Sequence, residues 1–444
     1  KGSVTGLTDA IKTAEKIGEG KQKKVLSLVL CVAMMLSVMV VGAGAAFSDQ
    51  SKIKNTEAVD ACTALNIIGG YPDGSFKPEG NITRAEVTKM ICVALNGGKN
   101  PAVSTNTTPT FSDVRNNANA AWAEGYIESC AAQGIVSGVG GGKFAPNGNV
   151  TGVQLAKMLL VSLGYKSENE GFTGNAWATN VNVRAAQKGL YAGLESMDTN
   201  AAITRDNAAQ MVWNALNAYE VEYKTSLIAG PDGKLSTQIT VQDKVVGKTD
   251  DKITLLEDKY EAKAITGTLI DVTQDNGKDT YSITIEDPQY KGEDYNNGND
   301  ITYTDVTADY SALKYQNVRV LVKPSKNGKD AVVYGVYATS KNTAQTGLLA
   351  DLKMDGAKAK LDGTKYTLAK KNGVEATTVY LNGEKVLDGK NPMTISKWLD
   401  TNAEGTATND KGSTVKLLAT DGTTNYSILE VTTYTVKQVT YVGS

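Results

Sequence analysis

A multidomain chain is predicted: an all-α unit of three stacked repeats, followed by all-β modules. Three observations predict it. A loop–helix pattern recurs three times between residues 47 and 217. Helical spacing of apolar residues stops near Tyr219, and strict alternation takes over. At 444 residues, with 41% apolar and 21% charged, the chain is too long for one ordinary domain and apolar enough for several cores.

Residues 1–20 form a leading segment. Lys21, Lys23 and Lys24 then precede an apolar run over 25–41, which ends in Gly42, Ala43, Gly44, Ala45 and Ala46. A cationic start, an apolar core and a small-residue end read as a secretory signal peptide, cleaved after Ala45 or Ala46. The competing reading is an uncleaved anchor, because 25–46 is long enough to span a bilayer. Cys31 follows Leu30 where lipid attachment would want a small residue, so no lipoprotein is expected. Export leaves Cys62, Cys92 and Cys130, an odd number that cannot pair fully. Cys62 and Cys92 fall among apolar neighbours on predicted helices, so buried free thiols are expected.

The chain has 46 Lys plus Arg against 48 Asp plus Glu, which lacks the basic excess of a nucleic-acid binder. It has no histidine at all. That excludes Ser-His-Asp triads, Cys–His pairs and His metal ligands. A carboxylate pair of the glycosidase kind stays open. There is no nucleophile elbow, phosphate loop or metal-spaced cluster. No catalytic residue, cofactor, metal or enzymatic activity is therefore expected.

The repeats carry the strongest signal. The first holds Ile67-Ile68-Gly69-Gly70-Tyr71-Pro72-Asp73-Gly74-Ser75-Phe76-Lys77-Pro78, then Ile82-Thr83-Arg84-Ala85-Glu86. The second holds Gly134-Ile135-Val136-Ser137-Gly138, Lys143-Phe144-Ala145-Pro146 and Val150-Thr151-Gly152-Val153-Gln154, a constant 68 residues later, which sets Cys130 opposite Cys62. The third holds Gly189-Leu190-Tyr191-Ala192-Gly193 and Ile203-Thr204-Arg205-Asp206-Asn207. Each unit reads as helix, Gly-rich loop, helix. Pro72-Asp73-Gly74 is a turn signal. Thr83 with Glu86, and Thr151 with Gln154, are capping boxes. Val87, Met90, Ile91, Ala94 and Leu95 then form one apolar helix face. One short helix pair cannot bury such a face, whereas three copies around a shared axis can.

In this order, Phe47-Ser48-Asp49, Ile67 to Gly70, Asp73 to Pro78 and Ile82 to Glu86 resemble the S-layer homology domain. The resemblance spans the three repeats. It implies a helical pseudo-trimer and binding of an anionic, pyruvylated secondary cell-wall polysaccharide in grooves between repeats. It also implies a secreted, wall-associated protein with self-association in a surface lattice as a further partner. The wall-binding residues expected are Arg84, Arg205, Trp122, Trp177, Gly70, Asp49 and Asp113. Arg84 and Arg205 each follow a Thr cap, so each falls at the first helical position. A cation there opposes the helix dipole, which makes sense if an anion uses free backbone N–H groups and the guanidinium together. The competing reading is a structural Arg paired with a carboxylate. Trp122 and Trp177 open the first helices of repeats 2 and 3, for sugar stacking or for the core; Lys54 stands at the equivalent place in repeat 1. Gly152 replaces the Arg in repeat 2, and Phe172-Thr173-Gly174 replaces Phe-x-Asp in repeat 3. Binding is therefore expected best at Arg84, next at Arg205 and least at Gly152.

After Tyr219, residues 252–255, 281–285, 318–322 and 332–337 alternate like strands, bounded by turn clusters at 275–279 and 326–330. Thr266 to Asp271 resembles Thr346 to Asp351, and Val318 to Val322 resembles Val415 to Ala419, which suggests two tandem modules, small barrels or sandwiches. Asp287, Glu293 and Asp294 in the Gly/Asn-rich loop 290–300 read as solvated carboxylates, because their spacing fits no EF-type loop. The division expected is 1–46 signal peptide with leading segment; 47–98, 99–166 and 167–219 repeats 1 to 3; 220–264 β-rich connector; 265–342 and 343–444 β-modules. The β-rich part would be surface-display structure, with an anchored polysaccharide-degrading enzyme or an adhesin as the alternatives.

Overall fold

The structure, a computed structural model, describes residues 47–102, 108–229, 235–247, 251–326, 330–402 and 412–433. The signal-peptide and Cys31 readings, and most of the turn at 326–330, lie outside these residues. Six longer helices build the N-terminal half: α1 (Thr56–Ala64), α2 (Arg84–Leu95), α3 (Glu124–Ala132), α4 (Gly152–Ser162), α5 (Trp177–Gln187) and α6 (Arg205–Asn217). Thr83 and Thr151 form complete capping boxes with Glu86 and Gln154, while Thr204 caps the Asn207 N–H without the return bond. Gly97 and Gly98 stop α2 at φ of 62° and 81°. A Cβ on Gly98 would lie 2.6 Å from the Leu65 carbonyl, so only glycine lets the chain turn there.

Each second helix packs against the first helix of the next repeat: α2 on α3, α4 on α5, and α6 back on α1. The backbone closes the same ring. Ile82 N–H donates to the Ile203 carbonyl, Ile203 N–H to Val150, and Val150 N–H to Ile82, at 3.1, 2.8 and 3.2 Å. Asp206, buried, adds a link by accepting the N–H groups of Lys54 and Asn55 ahead of α1, both at 3.2 Å. The apolar faces of α2, α4 and α6, with Val87, Ile91, Leu155, Leu159, Val212 and Leu216, meet in one core. Cys62, Cys92 and Cys130 are free and buried in it.

The 68-residue offset does not hold throughout. Phe47-Ser48-Asp49 and Phe111-Ser112-Asp113 play the same part, yet repeat 2 has four more residues between this motif and its first helix. The extra length forms the turns that lead into the short 3₁₀ segment Ala121–Ala123.

The chain then forms the hairpin β1 (Val221–Ala229) and β2 (Leu235–Asp243). The strand expected at 252–255 is corrected. Only Asp251–Lys252 pair as strand, and Thr254 caps helix α7 (Leu255–Tyr260) through a full box with Glu257. The box satisfies helix-end N–H groups that alternation alone does not register. Leu255, Leu256 and Tyr260 join the helical core, so this part of the connector belongs to the packed unit.

β3 (Lys263–Gln274), β4 (Tyr281–Tyr290), β5 (Ile301–Val306), β6 (Asn317–Lys323) and β7 (Val332–Ala338) make the first large sheet, in the path β7-β6-β3-β4 with β5 also on β4. β8 (Thr343–Leu348), β9 (Leu352–Asp355), β10 (Lys358–Leu361), β11 (Thr364–Leu368), β12 (Thr378–Leu381), β13 (Thr414–Ala419) and β14 (Ile428–Thr432) follow, with helix α8 (Ile395–Asn402) between β12 and β13. They form two sheets, with paths β8-β13-β14-β12 and β9-β10-β11. The sheets are open among the described residues. The internal resemblance reappears in the pairing: Gly267 on β3 faces Val318 on β6, and Gly347 on β8 faces Val415 on β13. Each glycine leaves room for a core side chain, Ile285 and Leu361 respectively.

Leu321 and Tyr337 of the first large sheet are buried in the helical core, and Arg319 of β6 pairs with Glu57 of α1. Tyr315 stacks on Tyr380 at 3.8 Å and joins that sheet to the next.

Candidate functional site

At each junction, the start of one repeat's second helix meets the loop of the next repeat. Asp49 shapes the first loop. Its two carboxylate oxygens accept the N–H groups of Phe76 and Lys77, both at 2.8 Å. Asp113 does the same for Phe144 and Ala145 at 2.8 and 2.9 Å. Burial raises both acids, but these N–H bonds outweigh it and hold both below the ordinary carboxylate range. Lys77 and Ala145 sit at φ of 59° and 57°, a left-handed turn that the clip stabilises.

Arg84 lies at the junction of repeats 1 and 2. Its Nε donates to the Phe144 carbonyl at 2.8 Å and its Nη2 to the Ser137 carbonyl at 2.7 Å. The guanidinium rests 4.4 Å from the Phe144 ring centre. Among the described residues no carboxylate lies within ion-pair distance of it. Burial lowers its pKa, and Asp113 opposes that shift from further off. The wall beside it is backbone at Gly138, where a Cβ would meet the Lys143 carbonyl at 2.7 Å.

Arg205 holds the same place between repeats 3 and 1, with a different electrostatic outcome. Its Nε donates to Phe76 at 2.9 Å, and its Nη1 lies 3.5 Å from Glu86. The residue is only 8% exposed. Glu86 also accepts the Tyr71 hydroxyl at 2.7 Å and the Thr83 N–H at 2.9 Å. Burial raises Glu86, yet these bonds and Arg205 keep it below the ordinary range. Gly70 stands in this junction, where a Cβ would touch the Phe47 ring at 3.0 Å. The residue matching Glu86 in repeat 2 is Gln154, which is neutral and leaves Arg84 without the counter-ion that Arg205 has.

The third junction is closed. A Cβ on Gly152 would lie 3.1 Å from the Thr199 Cα and 3.2 Å from the Met197 Cε, so the packing leaves no space for an Arg side chain.

The expectation of free backbone N–H groups is corrected. Arg84 and Ala85 N–H donate to the Gly148 and Pro146 carbonyls, Gly152 and Val153 to Ala201 and Thr199, and Arg205 and Asp206 to Gly80 and Pro78. The third N–H in each helix goes to the Thr cap. Repeat packing has used the groups that an isolated helix would offer an anion.

Trp122 is half-exposed, and its Nε1 donates to the Asn119 carbonyl at 3.0 Å. It meets Tyr126 edge-on at 6.3 Å in a groove of about 890 Å³, which is also lined by Arg115 and Glu124. Arg84 is not part of that lining, so the two residues flank α2 without sharing one pocket. Lys89 of α2 stands 5.8 Å from both rings. Lys157 of α4 stands 5.7 Å from Trp177, which is half-buried. Sequence reasoning missed these lysines. Their signal was present: each lies five residues after the Arg84 position of its repeat, 68 apart.

The family model for the S-layer homology domain matches residues 46–88 and 110–156, within the first two repeats. A cell surface protein of Thermoanaerobacter kivui is 26% identical over 386 residues, 82% of this chain and 48% of that protein. An S-layer protein of Bacillus licheniformis is 25% identical over 272 residues, 50% of this chain and 30% of that protein. A cellulosome-anchoring protein of Acetivibrio thermocellus is 30% identical over 159 residues, 33% of this chain and 34% of that protein. The chain spans about half or less of the length of these relatives.

Proposed function

This chain is an S-layer homology domain protein of the extracellular cell surface, and on that premise we propose that its helical half anchors it non-covalently to an anionic, pyruvylated wall polysaccharide. The cyclic packing of α1 to α6 supports reading the three repeats as one pseudo-trimer whose Gly152 junction is closed. The observation that carries the proposal is the contrast between Arg84 and Arg205. The Arg84 guanidinium has only carbonyl partners, with no carboxylate within ion-pair distance among the described residues, which leaves its charge for a ligand carboxylate. Trp122 with Lys89 and Trp177 with Lys157 are cation-flanked indoles suited to a sugar ring. Gly70, Asp49 and Asp113 shape the loops that border the grooves. The β-rich half serves as display structure in a surface layer; the absence of histidine from the chain rules out His-dependent catalysis and leaves a carboxylate pair as the route for an anchored enzyme.

The test is binding to purified wall polymer. Arg84→Ala removes a charge-assisted contact worth about 1.5–3 kcal/mol and is expected to weaken binding about 10- to 100-fold. Arg205→Ala should weaken it less, and Thr151→Ala least. Equal losses across the three, or none, refute the assignment.

A further inference from the structure

The β1–β2 ribbon leaves the helical core with one face uncovered. Directly opposed residues of an antiparallel pair share a face. Tyr223 opposes Val241, Thr225 opposes Ile239, and Leu227 opposes Thr237. None of these six is charged. The face is anchored at its base, where Val241 packs on the helical core and the Tyr223 hydroxyl donates to Glu170 at 2.8 Å. Further out it is bare: Leu227 is 70% exposed, Ile239 56%, and Leu235, in step with them, 69%. The other face carries Glu222, Lys224, Ser226, Gln238 and Gln242, with Ile228 its one large apolar side chain, 44% exposed. The ribbon is a two-stranded sheet whose outer edges carry no further strand among the described residues, although at its base the Val221 N–H donates to the Leu163 carbonyl at 2.8 Å. Such a ribbon is marginal alone in water, and its edges invite another strand.

We propose that the outer half of this ribbon is a self-association surface, on which a second copy of the chain lays its own ribbon with apolar face to apolar face. The proposal rests on the surface-layer reading above and names where neighbouring copies meet. Charge and size select the occupant. An anionic wall polymer finds no cation on the outer part of this face; Lys166 stands 5.4 Å from the Tyr223 ring at its base. A second copy brings the same uncharged face, which is self-complementary about a two-fold axis. At about 3.3 Å per residue, the exposed stretch offers on the order of 200 Å² a side, against about 800 Å² per partner in a stable complex. That is too little to hold two free molecules together. It suits a contact repeated among copies that the wall anchor already concentrates.

The experiment uses the exported chain bound to isolated wall sacculi. Thr237→Cys places an exposed thiol on the face, while the three native thiols described are buried. Oxidation of this variant on sacculi should give disulfide-linked dimers. Adding Leu227→Lys and Ile239→Lys should cut dimer yield at least tenfold, with the amount bound and the melting temperature unchanged. Ser226→Lys and Gln238→Lys, on the opposite face, should not. Dimer yield that survives the Leu227 and Ile239 changes overturns the proposal. Reduced binding to sacculi in those variants overturns it too, by making the ribbon a wall contact. An ordered layer seen by microscopy without cross-links sinks the ribbon and leaves the surface-layer reading standing. Neither layer nor cross-links sinks both.

Discussion

Arg84 and Arg205 occupy equivalent places, and their neighbours give them different work. Arg205 is buried, bonded to the Phe76 carbonyl and paired with Glu86. Removing it strands Glu86 in a partly buried site. Arg205→Ala should therefore lower unfolding stability by about 3 kcal/mol, measured by urea denaturation, because breaking one side of a buried pair leaves an uncompensated charge. Arg84 has carbonyl partners but no carboxylate, so Arg84→Ala should affect ligand binding more than stability. Gly138 sets the wall beside Arg84. Gly138→Ala forces a Cβ against the Lys143 carbonyl and the Phe111 ring. It should lower both the melting temperature and polymer binding.

The loops and helix starts are tied by carboxylates with depressed pKa values. Asp49, Asp113 and Glu86 each bind native N–H groups that the unfolded chain does not hold in place. Each folded pKa lies below its unfolded value. Their contribution is thus fully present above about pH 4 and is lost as pH falls through the folded values. Asp49→Asn with Asp113→Asn should flatten the acid limb of a stability–pH curve below pH 4; an unchanged limb would count against the clips. The Thr254 cap makes a separate prediction. Thr254→Ala should cost about 1 kcal/mol and loosen α7 from the helical core, visible as faster amide exchange at Leu255 and Leu256.

The helical half and the first large sheet share one core, and the seam carries an unusual acid. Asp60 on α1 is pushed up to about 6 by burial, which its Gln50 hydrogen bond only partly offsets, and its Oδ2 has no partner among the described residues. Its folded pKa lies above the ordinary 3.8, so it binds more protons folded than unfolded between about pH 4 and 6. Stability should fall across that window as pH rises, by about 2–3 kcal/mol. Asp60→Asn should raise stability at pH 7 and lose that advantage below pH 4. A melting temperature at pH 7 that stays the same or drops would contradict this. The acid limb from the loop clips and the Asp60 slope have opposite signs, so maximum stability belongs near the lower edge of the Asp60 window.

Local spacing in the sequence was enough to locate the helical half, the Thr caps on α2, α4 and α6, the buried free thiols and the change to strands after Tyr219. It also revealed the paired motifs around Gly267 and Gly347, because periodicity and capping depend on residues a few positions apart. It did not reveal α7, since Thr254–Glu257 interrupts an alternating stretch. It could not say which of Arg84 and Arg205 has a carboxylate partner, or that the helix N–H groups are spent. Those outcomes depend on residues far apart in the chain: Glu86 beside Arg205, Met197 and Thr199 closing over Gly152, and the Gly148 and Pro146 carbonyls at the start of α2. Only the packing of α1 to α6 against one another brings these groups within hydrogen-bond distance. Burial and charge pairing are properties of that packed arrangement, and no single repeat carries them.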